Sequence, residues 1–459
     1  MLTSIKNFLK NFTTTTPFIL SNTLIIVPYL LFLQLSDGTT WQSVLPFVLF
    51  YTFRFTGLFL IRGLSTQLES FTLLMAAFLL GGLGSVSGFL GMLFPGAYPL
   101  AAILLGLSAS WLTPANITVN YQEAQQGFHN MTAKKYPFAL LGLLGLFWLI
   151  NQDFPASVTV SLVLALYGLF FVAAYHTLRH YPHFEINFAS TSKNFIAYRE
   201  LVMFAIFFLL LLLLRSGRLL FDSGEIDIAL IGFILVFTIA IWLLSRKKAS
   251  LQLPFWLNWL NFVNGMIGNF LFLFISLYVS GTKGIEAVAS QVYLPYVLGM
   301  VAAMVLGPLY LQHLTKVAPV SKLVFGLCLS LLLIIWPATF LLGFALLCFF
   351  KSTTSSWLNQ QYYQKISFPA GSGVLAKFSL QNKGSLTAQF FIMGLLAILV
   401  FGFHGDNRLF LRILSSQGVS SSGQQILNDC LLVLVGLLLI CLAAAWFLWC
   451  KNPLPKTKT

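Results

Sequence analysis

Arg54 stands near the middle of a long apolar run, in the stretch FYTFRFTGLF. A guanidinium facing lipid is costly, so it must face a wet cavity or a partner group. Its planar fork suits a carboxylate or phosphate of a substrate. It suits equally a backbone carbonyl or a loop acid that ties helices together. A second pattern lies downstream, where Asn258, Asn261, Asn264 and Asn269 fall within an arc of roughly 140° on one helical face. Such a stripe lines a polar cavity or hydrogen-bonds to neighbouring helices. Asn22, Gln291, Tyr293, Asn359 and Gln389 are single polar groups in other apolar runs and join these as candidates for a substrate-binding lining.

Other chemistries find little support. The 12 acidic residues all fall in predicted loops or at helix ends, Glu123, Glu200 and Asp429 among them. No mid-span carboxylate is in place for a proton relay. His176, His180 and His183 follow an i, i+4, i+7 spacing in HTLRHYPH, with no Glu-rich run or cysteine beside them. No metal site or cofactor is expected. The glycines at 81, 82, 84, 88 and 91 precede no Lys-Ser/Thr and serve close helix contact, not phosphate binding. Cys328, Cys348, Cys430, Cys441 and Cys450 show neither metal nor disulfide spacing and read as small apolar fillers. With no Ser–His or Ser–Lys pair within a span and no paired mid-span acids, an enzyme is not expected.

The elements that must position these groups are membrane helices. Hydrophobic residues make up 58% and charged residues 8% of the chain, with a mean hydropathy of +0.87. A water-soluble protein of 459 residues does not keep so few charges. The pattern predicts an all-α polytopic membrane protein of about fourteen spans. They lie at 17–35, 43–61, 71–93, 97–112, 136–151, 156–177, 200–214, 228–244, 254–279, 288–311, 322–336, 340–357, 385–403 and 427–450. A tight turn at Trp336–Pro337 separates the eleventh from the twelfth. With the N-terminus inside, most of the 26 Lys and Arg collect on the cytoplasmic side, including Arg62, Lys134, Lys135, Lys322, Lys351 and Lys377. Arg215, Arg218, Lys283, Arg408 and Arg412 fall outside. Both termini are therefore placed in the cytoplasm. The net charge of +14 reads as this topology bias. Nucleic acid is not an expected partner, since no loop is long enough to be a soluble basic domain.

The longest hydrophilic stretches are 113–135, 178–199, 358–384 and 404–426. The first and third occupy matching places in two halves, which gives a 6 + 2 + 6 plan. Residues 1–16 form an amphipathic surface segment, set off by polar Thr13–Thr16. Residues 17–177 are a six-helix bundle, 178–253 a linker with two extra helices, 254–450 a second six-helix bundle, and 451–459 a tail.

In plan, and best in residues over 262–330, the chain resembles the major facilitator superfamily, specifically its fourteen-span drug:proton antiporter-like branch. Phe262–Val279, the turn Ser280–Glu286, and Val292–Gly307 followed by Pro308 carry the likeness, with LGLSASWLTP at 105–114 and the last helix from Asp429. The branch's signature turn reads GLFLIRGLSTQLES here, with Gly57 and Arg62 matching and no Asp. Ile103 stands where the fourth span usually has Arg, and Gly142 and Gly145 lack the following Pro. The resemblance implies a secondary transporter that works by alternating access, in this branch by proton-coupled drug export; Arg54 points to a small amphipathic or anionic substrate, and the Lys-, Phe- and Asn-leaning composition to a bacterial inner membrane. Its partners would be the bilayer and a periplasmic adaptor protein. A flippase for a lipid-linked precursor, or a transporter-like subunit that no longer transports, remain the alternatives.

Overall fold

A computed structural model describes residues 2–36, 41–63, 70–152, 154–185, 198–220, 253–284, 286–313, 317–364, 372–403 and 420–452. Among them every regular element is a helix. Among the described residues nine helices are long and apolar enough to cross a membrane, or ten if one bent pair counts as a single span. Tyr136–Ile150, Glu200–Leu212 and Pro319–Ile335 are shorter apolar helices. The predicted span at 228–244 and most of the 404–426 loop lie outside the described residues. The helices form two compact units.

The first unit holds α1 (Leu2–Thr23), α2 (Val27–Leu35), α3 (Trp41–Gly63), α4 (Ser70–Leu90), α5 (Ala97–Gln125), α6 (Tyr136–Ile150), α7 (Ala156–Leu178) and α8 (Tyr198–Leu220). The helix does not stop at Thr13–Thr16, where the sequence suggested an interruption. These hydroxyls donate back to carbonyls three residues earlier, Thr15 to Phe12 at 2.7 Å and Thr16 to Thr13 at 2.7 Å, so their polarity is absorbed within the helix. The break comes later, between α1 and α2, with a bend of 59°.

α5 also outruns its prediction. Its apolar stretch ends near residue 112, yet the helix passes Pro114 and continues to Gln125. Pro is tolerated inside membrane helices when neighbours satisfy the freed backbone. Here Asn116, Thr118 and Glu123, polar enough to read as loop, are buried. Side chains of α5 tie it to its neighbours. Ser108 donates to the Ala77 carbonyl of α4 at 2.7 Å, Trp111 to Gly57 of α3 at 2.9 Å, and Thr113 to Ser21 of α1 at 2.9 Å. Leu79, Leu83 and Val86 of α4 are exposed and suit a lipid surface. α8, expected as the first of two extra helices, packs along α3.

The second unit begins with α9 (Phe255–Asn269), which passes through a π-turn at Phe270–Phe274 into α10 (Ile275–Lys283). Gly284, at φ +93°, ends α10 in a conformation other residues avoid. A second π-turn at Ala289–Tyr293 leads into α11 (Leu294–Gln312), then come α12 (Pro319–Ile335), α13 (Phe340–Gln364), α14 (Ser372–Phe403) and α15 (Ser421–Lys451). The break expected at Trp336–Pro337 is there, between α12 and α13. Lys322 is buried and donates to the carbonyls of Leu311, at 2.7 Å, and His313. It thereby neutralises the carbonyl end of α11. Of the predicted 358–384 loop, α13 takes up 358–364 and α14 takes up 372–384.

Candidate functional site

The close approach of α9 and α14 sets the geometry of the second unit. A Cβ on Gly265 would strike the Gln381 carbonyl oxygen, and one on Gly384 would strike the Phe262 carbonyl oxygen. The two backbones therefore touch at a point where only glycine fits on either side. On one side of this contact Asn261 donates through Nδ2 to the Lys377 carbonyl at 2.8 Å. On the other, Asn269 donates to the Ser385 carbonyl at 2.7 Å. The bonds step by equal amounts along both helices, so α9 and α14 run parallel and in register.

A third helix, α13, completes the cluster. The Tyr362 hydroxyl donates to Asn258 Oδ1 at 2.5 Å and lies 3.5 Å from Asn261 Nδ2. One face of α13 carries Lys351, Ser355, Asn359 and Tyr362 at helical spacing. Lys377 of α14 is fully buried and donates to Ser355 Oγ at 2.8 Å, with its ammonium 4.3 Å from the centre of the Phe378 ring. Lys351 sits one turn before Ser355. Its Nζ lies 3.8 Å from where a Cβ on Gly268 of α9 would be.

This cluster keeps unused hydrogen-bonding capacity. Asn264 is fully buried, and neither its Nδ2 nor its Oδ1 meets a partner. Asn261 Oδ1, Asn359 Oδ1, Ser379 Oγ and Gln381 Oε1 are likewise buried without one. Each such group costs about 1–3 kcal/mol if nothing satisfies it. So many in one three-helix seam mark a place built for something other than stability.

The remaining candidates separate from this seam. Gln389 is fully buried farther along α14. Tyr293 is buried with its ring 6.2 Å from that of Phe272. Gln291 accepts from Lys283 at 2.7 Å at an exposed position. Arg54 and Asn22 belong to the first unit. Arg54 is half-buried on α3, its guanidinium 4.8 Å from the Phe55 ring centre. Asn22 spends its amide on the Phe18 carbonyl of its own helix at 2.7 Å.

Two acidic residues of the first unit lie beside basic side chains. Arg62 of α3 meets Glu200 of α8 at 3.4 Å. Glu123, which the sequence placed in a solvated loop, is buried at the end of α5, and its Oε2 lies 3.4 Å from His183 Nδ1. Beside it, burial raises the Tyr181 phenol above its ordinary range, and the charge of Glu123 adds to the effect. His176 and His180 stack with ring centres 4.6 Å apart, His180 Nδ1 lying 2.7 Å from the His176 carbonyl.

Sequence reasoning missed Lys377, Lys351, Ser355 and Tyr362. In the sequence both lysines count as cytoplasmic topology signals, Lys351 near the end of the span 340–357 and Lys377 in the loop 358–384. The signal that could have found them is the unbroken apolar periodicity of Val374, Leu375, Phe378 and Leu380 around Lys377.

No family model matches the sequence, and no curated protein does. Solved structures do match. An auto-inhibited POT family peptide transporter aligns at a TM-score of 0.54 and 14% identity, over 99% of this chain and 98% of that one. The peptide transporter POT in complex with sulfate aligns at 0.52 and 13% identity, over 96% and 95%. At such identity the likeness shows the fold. Among its described residues the chain shares the all-helical fold of those two structures.

Proposed function

We propose that this chain is a secondary active transporter that moves a small amphipathic or anionic molecule across the membrane by alternating access. The observation that carries this reading is Asn264, fully buried in α9 with both polar atoms of its side chain unspent. A residue kept for packing would not be an amide in that state. One that hydrogen-bonds a passing solute would be. The fold supports the same reading, because the similar structures named above are peptide transporters. The direction we propose is export across a bacterial cytoplasmic membrane, following the antiporter-like resemblance and its 6 + 2 + 6 plan.

The test is substrate-dependent flux in proteoliposomes, across a panel of organic acids and cationic drugs, for the wild type, Asn264→Leu and Arg54→Ala. Flux that Asn264→Leu abolishes, in a protein that still purifies as a single species, supports the reading. Flux indifferent to that substitution removes the asparagine stripe from the site. No flux with either panel turns attention to the lipid-linked flippase.

A further inference from the structure

The asparagine stripe explains recognition of polar groups but not of charge, and the residue first put forward for charge, Arg54, lies in the other unit. Within the seam itself there are two lysines: Lys377 of α14 reaches the Ser355 hydroxyl, and Lys351 of α13 lies against Gly268 of α9. Lys377 and Lys351 both border Ser355, the first by a 2.8 Å hydrogen bond and the second by one-turn spacing on α13. Among the described residues, the ion pairs are those of Arg62 with Glu200 and Glu123 with His183; no carboxylate pairs with Lys377. An ammonium withdrawn wholly from solvent with one hydroxyl and one aromatic ring for company leaves hydrogen-bonding capacity unspent. A second cation nearby makes the arrangement worse unless an anion joins it. The neighbouring unpartnered amide nitrogen of Asn264 supplies a further donor in the same seam. The amide oxygens of Asn261, Asn264, Asn359 and Gln381 are also unpartnered, so the seam could take donors as well, but its formal charge is wholly positive, and the component that would balance it is negative.

We propose that Lys377, Lys351 and Ser355 form a socket for an anionic group, a carboxylate or a phosphate. Lys377 makes the ion pair, Ser355 orients the Lys377 ammonium, and Lys351 draws the anion in electrostatically. A lysine is a compact point charge and accepts either anion, which leaves the amides of α9 to discriminate the rest of the molecule. The inference rests on the transporter reading only for the ligand's passage. Binding at the socket stands or falls separately.

The experiment measures thermal shift and binding isotherms on the full-length protein in neutral detergent. The probes are benzoate, phenyl phosphate, phosphatidylglycerol added to the micelle, and benzamide as the neutral analogue. The expected result is saturable stabilisation of the wild type by at least one anion and none by benzamide. Lys377→Gln should weaken that anion's binding by about tenfold or more, the scale of a lost hydrogen bond to a charged group. Lys377→Arg should retain most of it, and Ser355→Ala should weaken it a few-fold. Which anion binds names the source, a soluble carboxylate, a soluble phosphate or a lipid headgroup. Absence of any anion effect on the wild type overturns the proposal, as does equal binding by Lys377→Gln or equal stabilisation by benzamide. If Lys377→Gln does not fold, loss of binding in Ser355→Ala with Lys377→Arg intact decides in its favour, and unchanged binding in Ser355→Ala decides against it. Anion binding without flux in proteoliposomes refutes transport and keeps the socket. Flux of the anion unaffected by Lys377→Gln does the reverse.

Discussion

In the first unit Glu123 is buried beside His183 at 3.4 Å and Arg62 meets Glu200 at 3.4 Å, whereas in the second unit Lys377 is buried beside a serine hydroxyl and a phenylalanine ring. Both units draw charge out of solvent; in the first it lies beside a side chain of opposite or titratable charge, and among the described residues no carboxylate pairs with Lys377 of the second. The same contrast holds for amides. Asn22 of the first unit is satisfied within its own helix, while Asn264 of the second is satisfied by nothing. Paired charges hold helices in place, and unpaired ones hold a place for something else. The first unit thus reads as scaffold at these positions and the second as site.

The backbone contact of the second unit offers the largest test. Gly265→Ala places a methyl group against the Gln381 carbonyl, which cannot yield, and should cost about 3 kcal/mol or more or abolish a monodisperse product. Gly88→Ala in the first unit places its methyl against the end of the Leu164 side chain, which can turn aside, and should cost about 1 kcal/mol. Similar melting temperatures for the two variants would break the claim that α9 and α14 meet through backbone. Next in size is Lys322→Met, which strips the carbonyl end of α11 of its donor and should lower stability by about 2 kcal/mol in chemical unfolding.

Asn264→Leu sharpens the contrast by separating stability from function. Removing an unsatisfied buried amide should raise stability by about 1 kcal/mol while ending flux. A fall in melting temperature instead would reveal that the amide is structural. The smallest effect belongs to the first unit's partly exposed pairs. A double-mutant cycle on Arg62 and Glu200 should give a coupling of about 0.5 kcal/mol, shrinking in high salt. A coupling several times larger would make that pair more than a brace.

Much of the fold was legible because lipid imposes one rule on every span, a long apolar helix. The break at Trp336–Pro337 followed from chain length and a proline alone. What hydropathy could not see was where helices end. α5 and α14 both continue past their apolar stretches, because Asn116, Glu123 and Lys377 bury their polarity against other helices. A window that counts polarity as loop assigns all three to solvent. The asparagine stripe was legible from spacing, since period fixes face. Lys377 was not, because its meaning depends on Ser355 and Asn261, which the sequence keeps far apart. Tyr362 went unseen for the same reason: a tyrosine gains its role only when Asn258 is across from it at 2.5 Å.

The π-turn at Phe270–Phe274 has a consequence for how this chain tolerates change. A π-turn holds one residue more than the α-turn it replaces, so everything beyond it is rotated by about 100° relative to an uninterrupted helix. Before the turn, Asn261 and Asn269 must face α14. After it, Tyr278 must meet Asn428 of α15, which it does at 2.9 Å. The extra residue acts as a phase shift that lets one continuous rod serve two partners on different bearings. Deleting any one of the five residues would let the π-turn relax to an α-turn while Tyr278 keeps its bearing, because the residue lost and the extra residue of the turn cancel. Since the segment reads FLFLF, it matters little which residue is lost. At this point the helix can give up one residue without turning either of its ends away from its partner.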